Sequence, residues 1–316
     1  MSEPEKSAPA NWERDVLEKL ALSAVQEQRR SRHWSILFKT LGFLYLFIVL
    51  FLAAGWFRSD GVSIKAHTAL IDLQGVIAAD QASADSVISS LQSAFDDNKT
   101  KGVVLRINSP GGSPVQAGQI YDEIKRLRAL HPKTPLYAVV DDICASGGYY
   151  VAAGADKIFV DKASIVGSIG VLMDGFGFTQ TMQKLGVERR LLTAGENKGF
   201  LDPFSPVDPE HEAFARQMLE EIHGQFIAVV REGRGKRLKE TPEMFSGLVW
   251  SGEKSIQLGL ADALGTVESV ARDVIKAEDV VDFTRQESLV ERFAGRLGAT
   301  MVKAWSPLDQ AGVSLR

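Results

Sequence analysis

This chain is poor in the residues that build disulfides and metal centres. It holds one cysteine, Cys144, and five histidines among 316 residues. An internal disulfide and a cysteine-rich zinc site are therefore excluded. The histidines show neither an HExxH motif nor any other spacing typical of metal ligands. We expect a function that uses no metal.

An excess of charge of either sign is also missing. Lysine and arginine number 36 against 40 aspartate and glutamate residues, so the net charge is −4. A mildly acidic chain lacks the positive field that attracts nucleic acid. We expect no nucleic-acid partner.

One long uncharged run lies near the N-terminus. Residues 40–57 carry no charge. Extended back to Trp34 and interrupted only by Lys39, the run is long enough to span a bilayer. Trp34 and Trp56 lie near its two ends, where aromatic anchors are common. This pattern predicts a membrane anchor over residues 34–57.

Positive charge is concentrated before the apolar run, which predicts its orientation. The basic residues on the two sides are Arg29, Arg30, Arg32 and Lys39 before it, and Arg58 and Lys65 after it. The positive-inside rule puts an N-terminal arm, residues 1–33, in the cytoplasm and the rest of the chain outside. A cleaved signal peptide is the alternative, since residues 53–55 are small. The long head and the long apolar run favour a retained anchor.

After Lys65 the sequence alternates between strand-like and helix-like segments, which predicts an α/β domain with a parallel sheet over residues 61–275. Within the arm, apolar residues at helical spacing from Trp12 to Ala24 predict a short amphipathic helix. Residues 276–316 carry no motif and are expected to form a tail. The predicted strands are 66–77, 102–107, 135–140, 157–160, 170–173 and 188–192; the predicted helices are 83–95, 115–130, 149–155 and 208–231, with a strand and then a helix within 247–265.

Ser146 is a candidate nucleophile. It lies in residues 144–150 (CASGGYY), between a predicted strand and a predicted helix. At a helix N-terminus, unpaired backbone N–H groups favour developing negative charge. The flanking glycines allow another backbone to approach the hydroxyl. Taken alone, a serine N-cap with glycines needed for packing is an equally good interpretation.

A serine nucleophile needs a base, and the chain offers a lysine rather than a histidine. No histidine lies in a glycine-rich loop, and Cys144 replaces the first glycine of a GxSxG elbow. Lys198 lies among glycines and phenylalanines in residues 193–206, and a desolvated lysine can act as a base. The alternative is a solvated loop lysine. Cys144, at a strand end, suits a small packed residue better than a nucleophile.

Residues 108–113 (NSPGGS) are the candidate source of an oxyanion hole. Two glycines after a buried strand expose backbone N–H groups at a sharp turn. Gly112 would supply one donor, and Gly147, after the nucleophile, the other. On its own Pro-Gly-Gly is a common turn, so this motif gains weight only beside the others.

Together these residues resemble the signal peptide peptidase A family, membrane-anchored serine peptidases with a Ser/Lys dyad. The resemblance covers about residues 66–270. One departure is Ala194, where many relatives have a serine, and we expect it to have little effect. The matching segments, in order, are 107–113, 145–150, 166–171, 195–199, 249–253 and 258–262.

The resemblance implies roles for individual residues. Ser146 would be the nucleophile and Lys198 the general base, 52 positions later (198 − 146). Ser168 would hydrogen-bond the lysine amine and orient it. The implied fold is the ClpP/crotonase-like spiral of β-β-α units, assembled into homo-oligomeric rings. In some members neighbouring subunits contribute the two catalytic residues, and no cofactor is implied.

The expected function is hydrolysis of leftover signal peptides and other hydrophobic peptides at the bacterial inner membrane. The catalytic domain would lie on the periplasmic side, with membrane lipid around the anchor. An acyl-CoA hydratase or isomerase of the crotonase fold is one alternative. The other is a non-catalytic membrane scaffold on a peptidase fold.

Overall fold

The structure is a computed structural model that describes residues 12–53 and 65–285. Predictions about residues 1–11, 54–64 and 286–316 lie outside these ranges. They include the anchor Trp56, the flanking Arg58, the small residues after position 53 and most of the predicted tail.

The N-terminal part of the chain is one long helix, α1 (Trp12–Ala53). Its segment Glu27–Phe51 contains an 18-residue stretch with a mean hydropathy of 2.0, and by length and composition the segment could cross a membrane. The helix predicted in the arm from Trp12 to Ala24 is present, but it is not short, because α1 continues from it without a break. Residues 25–33 contain no glycine or proline to end the helix.

Val62–Arg285 form a second compact unit. Its described residues alternate strands with helices, as the sequence predicted. The strands are β1 (His67–Gln74), β2 (Thr100–Ser109), β3 (Leu136–Ala145), β4 (Lys157–Val160), β5 (Ile165–Gly167), β6 (Val249–Ser251), β7 (Ala263–Leu264) and β8 (Val280–Asp282). The helices are α2 (Ala84–Asp96), α3 (Pro114–Leu130), α4 (Gly147–Ala152), α5 (Thr179–Leu185), α6 (Pro209–Arg234), α7 (Gly252–Gln257) and α8 (Val267–Ser269), followed by a π-helical segment, Val270–Ile275.

The described strands form one sheet in which only β5 and β6 pair antiparallel. The order β8-β1-β2-β3 is parallel throughout. β3 then forks: its first half pairs with β4 at Tyr137–Val139, and its last residues pair with β5 at Ile143–Ala145. This fork starts the spiral, and it places the end of β3 beside β5. The expected ClpP-like α/β fold is confirmed.

Both faces of the central strands are buried, as parallel sheets require. On β2, Val103, Leu105 and Ile107 pack on the side of the sheet that helices α2 and α4 cover. Val104, pointing the opposite way, packs with residues near α8. This double burial fixes the register, because a slip by one residue would exchange the two faces.

Two predicted strands are absent from the structure. Residues 170–173 and 188–192 have no strand conformation, and the short helix α5 lies between them. Their side chains are largely exposed. A strand needs a hydrogen-bonding neighbour, and within residues 65–285 no sheet edge reaches these segments. The apolar residues of these two segments are therefore not explained by a place in the sheet.

The sheet also extends beyond residue 275, where the predicted domain ended. β8 pairs with the first strand, with Thr68 opposite Val280 and Leu70 opposite Asp282. Only three residues long, β8 was too short for the pattern analysis to detect.

Candidate active site

Ser146 connects β3 to α4 in a strained conformation. Its φ is 51° and its ψ is −124°, a region that residues other than glycine rarely adopt and that is common at functional sites. Its N–H donates to the carbonyl of Gly167 at 2.8 Å, and its carbonyl accepts from Tyr150 at 3.0 Å. Its backbone is thus held on both sides. The half-buried side chain has no hydrogen-bond partner within residues 65–285.

The loop after β2 passes directly against Ser146. A Cβ atom on Gly111 would lie 2.7 Å from the Ser146 Cβ and 2.6 Å from the Gly147 nitrogen. Gly111 also has a φ of 102°, which favours glycine. A Cβ on Gly148 would lie 3.0 Å from the carbonyl oxygen of Ser109. The predicted role of the glycines in permitting close approach is confirmed.

Gly112 and Gly147 present unpaired N–H groups beside Ser146. Around Gly112, Ile77 donates to the carbonyl of Gly111 and accepts from Ser113, both at 2.8 Å. Ile77 and Gly112 thus form a β-bridge whose two hydrogen bonds go to Gly111 and Ser113, the neighbours of Gly112. The Gly112 N–H therefore points away from Ile77.

Neither of these two N–H groups has an acceptor among the residues that the structure describes in this unit. The Gly112 nitrogen lies 3.3 Å from where a Cβ on Gly147 would stand. Two neighbouring donors without acceptors beside a serine are the kind of groups that form an oxyanion hole.

Ser168 lies next to this junction. It follows β5, whose Gly167 is opposite Ala145 in the sheet. Its φ is 51°, and its N–H donates to Leu248 at 2.8 Å. The structure therefore brings Ser146 and Ser168 to the same end of two paired strands.

Lys198 lies elsewhere, on an exposed segment, residues 171–207. Its N–H donates to the carbonyl of Gly195 at 3.2 Å, and its side chain is exposed. Within residues 65–285 the structure shows no hydrogen bond or ion pair between its amine and any other group. Lys198 is thus not in contact with Ser146 or Ser168 in the single chain.

The segment of Lys198 packs on the first part of α6. His211 donates to Asn197 Oδ1 at 3.0 Å. The ring of Phe200 lies 5.2 Å from His211 and 5.8 Å from Phe214, measured between centroids. These contacts attach the turn that carries the lysine to the N-terminal end of this helix.

The other end of α6 packs near the nucleophile. The ring centroid of Phe226 lies 5.1 Å from that of Tyr150, on the helix that follows Ser146. Phe226 is 15 residues after His211 (226 − 211), which corresponds to about 22 Å along an α-helix. The helix therefore separates the Lys198 segment from the Ser146 segment.

Other candidates for nucleophile or base are unsuited by position. Cys144 is fully buried, and burial raises the pKa of its thiol far above the ordinary value. This agrees with the prediction that it is a packing residue. His67 is buried at the start of β1, and His131 packs on Phe95 at the end of α3. No histidine within residues 65–285 hydrogen-bonds Ser146.

Two residues of this region were missed from sequence. Gly111 is closer to Ser146 than Gly112, and the double glycine was the available signal. His223, on α6, contacts the carbonyl of Ile169 at 3.2 Å, and no sequence pattern linked these two positions. Metal ligands are not grouped in the described ranges: no three His, Cys, Asp or Glu side chains lie together as a metal would need.

The fold is a ClpP-like α/β fold, in which a strained serine lies beside two N–H groups without acceptors in the described residues. Residues 61–166 match the family model of the Clp protease, and residues 128–281 match that of peptidase family S49. A candidate protease of Methanocaldococcus jannaschii is 33% identical over 213 residues, which cover 67% of this chain and 68% of that relative. The chain belongs to peptidase family S49, the family predicted from its motifs.

Other relatives are matched over only part of their length. The Na(+)/H(+) antiporter NhaA of Brucella melitensis is 46% identical over 187 residues, which is 59% of this chain and 25% of that protein. A candidate signal peptide peptidase SppA of Enterococcus faecium is 29% identical over 197 residues, 62% of this chain and 57% of the relative. The chain thus spans a quarter of the first relative and little more than half of the second.

Proposed function

We propose that this chain is a membrane-anchored serine endopeptidase with Ser146 as nucleophile and Lys198 as general base. The observation that carries the proposal is the strained Ser146 beside the free N–H groups of Gly112 and Gly147. Membership of peptidase family S49 supports the same chemistry. Strain at a junction of strand and helix is the usual way to expose a nucleophilic hydroxyl.

The proposed reaction is acyl transfer in two steps. Ser146 Oγ attacks the peptide carbonyl while the neutral amine of Lys198 accepts its proton. The negative oxygen of the tetrahedral intermediate accepts hydrogen bonds from Gly112 and Gly147. The lysine then protonates the leaving amine, and water, deprotonated by the same lysine, hydrolyses the ester at Ser146.

We further propose that Lys198 reaches Ser146 from a neighbouring subunit. The single chain holds Lys198 on the far end of α6 from the helix that follows Ser146. A lysine in water is almost fully protonated at neutral pH, since its ordinary pKa is about 10.4, and desolvation favours the neutral amine. Packing of the exposed segment against a second subunit would supply that desolvation.

The surface around Lys198 supports such an assembly. No residue from 171 to 214 is buried, although the segment is rich in large apolar side chains. Contiguous exposed apolar surface typically marks a protein interface. The most exposed of these side chains are Leu172, Phe176, Leu185, Leu192, Val207 and Phe214.

The proposed substrates are signal peptides that remain in the membrane after cleavage, together with similar apolar peptides. The name of the Enterococcus faecium relative supports this class. The candidate membrane span in α1 would hold the site near such substrates and raise their effective concentration. We propose a cytoplasmic N-terminus, a bacterial inner-membrane location and a periplasmic catalytic domain, from the basic residues before the span.

The direct test is cleavage of an apolar fluorogenic peptide by the full-length protein in detergent, measured from pH 6 to pH 10. Ser146→Ala and Lys198→Ala are each expected to reduce kcat/KM by about 10³-fold or more.

Two results would contradict the proposal. Activity that survives Lys198→Ala would assign the base to another residue. Complete inactivity of the wild type, with the anchor also embedded in lipid, would favour the non-catalytic scaffold.

A further inference from the structure

The turn after β5 carries Ser168 in a conformation that needs external support. Gly167 has a φ of 118° and Ser168 a φ of 51°. The second value is unfavourable for a residue with a side chain. Such a conformation persists only where neighbouring groups hold it.

One side of the turn is held by the sheet. Ser168 donates its N–H to the carbonyl of Leu248 at 2.8 Å, and Gly167 accepts from the N–H of Ser146 at 2.8 Å. A Cβ on Gly167 would meet the indole of Trp250 at 3.1 Å. The Ser168 turn and the Ser146 junction are therefore directly linked by a backbone hydrogen bond.

The other side of the turn is held by α6. The ring nitrogen Nε2 of His223 lies 3.2 Å from the carbonyl oxygen of Ile169. A carbonyl only accepts, so Nε2 must carry the proton and donate. Ile169 is fully buried, and its carbonyl has no other hydrogen-bond donor among the described residues of this unit. Without His223 a buried acceptor would be left unpaired, which is unfavourable.

We propose that His223 is a positioning residue for the reaction. By fixing Ile169, it sets the direction of the Ser168 hydroxyl relative to Ser146, while Leu248 fixes the turn from the opposite side. The Ser168 hydroxyl has no partner within residues 65–285, so it is free to meet an incoming amine. This inference rests on the proposed function, in which that amine belongs to Lys198.

The test compares two substitutions that carry the same amide group at different reach. In His223→Gln the amide nitrogen reaches about as far as Nε2 and can still donate to Ile169. In His223→Asn the donor falls short by about one carbon–carbon bond, roughly 1.5 Å. Ile222→Ala, at a half-buried neighbouring position on α6, serves as a control for lost packing. All are made in the full-length protein, and kcat, KM and the midpoint of thermal unfolding are measured.

We expect His223→Gln to retain most of the wild-type kcat. His223→Asn should lower kcat by up to about 100-fold, because a displacement near 1 Å at a reacting group has effects of that size. KM should change little in both variants, since neither touches the bound peptide. Ile222→Ala should lower the unfolding midpoint without a comparable loss of kcat.

Two results would overturn the inference. Equal kcat in His223→Asn and the wild type would show that Ile169 needs no support. Equal loss in both His223 variants, with activity retained in Lys198→Ala, would make His223 the base itself. An inactive wild type would instead count against the proposed function, so the two failures are distinguishable.

Discussion

The segment that carries Ser146 and the segment that carries Lys198 differ in how they are held. Ser146 follows a central strand, and its N–H and carbonyl groups are both hydrogen-bonded. Lys198 lies within residues 171–214, where no side chain is buried and the only helices are α5 and the start of α6. One half of the proposed site is completed by the fold of one chain, and the other half is not.

The two segments differ in what fixes the positions of their functional groups. The nucleophile and the two N–H donors need fixed positions, and a buried parallel sheet with glycine contacts supplies them. The lysine segment retains exposed apolar surface instead, and a polar environment does not favour a neutral amine. We infer that the second half is ordered and desolvated by assembly.

We call the sheet with the Ser146 junction and the elements packed on it the closed half, and residues 171–214 the open half. Apart from substitutions of the proposed dyad, the largest effect is expected in the closed half, from Gly111→Ala. The added Cβ would lie within 2.7 Å of the Ser146 Cβ, so the loop or the serine must move. We expect kcat/KM for peptide cleavage to fall by at least about 100-fold.

Gly177→Ala is the matched control in the open half. Nothing lies within 4 Å of a Cβ at Gly177. The free energy of unfolding of the single chain should stay within about 0.5 kcal/mol of the wild type. Wild-type activity in Gly111→Ala would contradict the described difference in packing, because the closed half would then tolerate an added methyl group.

A mixing experiment tests whether the two halves come from different chains. Ser146→Ala and Lys198→Ala proteins are each expected to be inactive. After unfolding and co-assembly in equal amounts, about a quarter of the sites in a cyclic oligomer would pair an intact serine with an intact lysine. Recovered peptide cleavage near a quarter of wild type is the expected result. No recovery, in mixtures shown to exchange subunits, would place both residues in one chain.

The stability of the closed half should depend on a buried ion pair. Arg234 is 2% exposed and donates at 2.8 Å both to Asp262 and to the carbonyl of Gly259. Without Arg234, Asp262 would keep only the more exposed Arg237 as an ion-pair partner within residues 65–285, at 3.1 Å, so Arg234→Ala should lower the free energy of unfolding by about 3 kcal/mol.

Arg216 provides the comparison on the exposed half of α6. It pairs with Glu212 at 2.7 Å, with both side chains exposed. Arg216→Ala should cost less than about 1 kcal/mol, measured by denaturant unfolding. Equal costs for the two substitutions would contradict the described difference in burial.

The smallest effect on folding is expected from Leu192→Gln. This side chain is 97% exposed, so the substitution should change the free energy of unfolding of the single chain by less than about 0.5 kcal/mol. If the open half is an interface, the same change should shift the full-length protein in detergent toward smaller assemblies in analytical ultracentrifugation. Unchanged assembly and activity would show that Leu192 faces solvent in the working protein.

Elements with strong local signals were predictable from sequence. Asp208 and Pro209 begin α6 as an N-cap and a first-turn proline should, and the side chain of Asp208 accepts from the N–H of Glu210. The continuous, periodic apolar face of α2 predicted a helix from position 83, and the helix begins one residue later, at Ala84. Such signals are contained within a few neighbouring residues, so no knowledge of the fold is needed.

The wrong predictions have a common cause. Residues 170–173 and 188–192 have the apolar content of strands, but a strand forms only where a sheet edge is available. The apolar content of these two segments was an incorrect sign of secondary structure. β8 shows the opposite case, in which a three-residue segment becomes a strand because the edge of β1 lies beside it.

The candidate membrane span, the alternation of strands and helices, and the ordered motifs of peptidase family S49 were all predictable from the sequence alone. These depend on composition, periodicity and residue identity, which are local properties of the chain. The contact of Gly111 with Ser146 could be seen only in the three-dimensional structure. The same is true of the N–H groups of Gly112 and Gly147, which have no acceptor within residues 65–285, and of α6, which separates the Lys198 segment from the Ser146 segment. These relations join segments 35 or more residues apart (146 − 111), and backbone packing across a sheet, rather than any local preference, sets the distances between them.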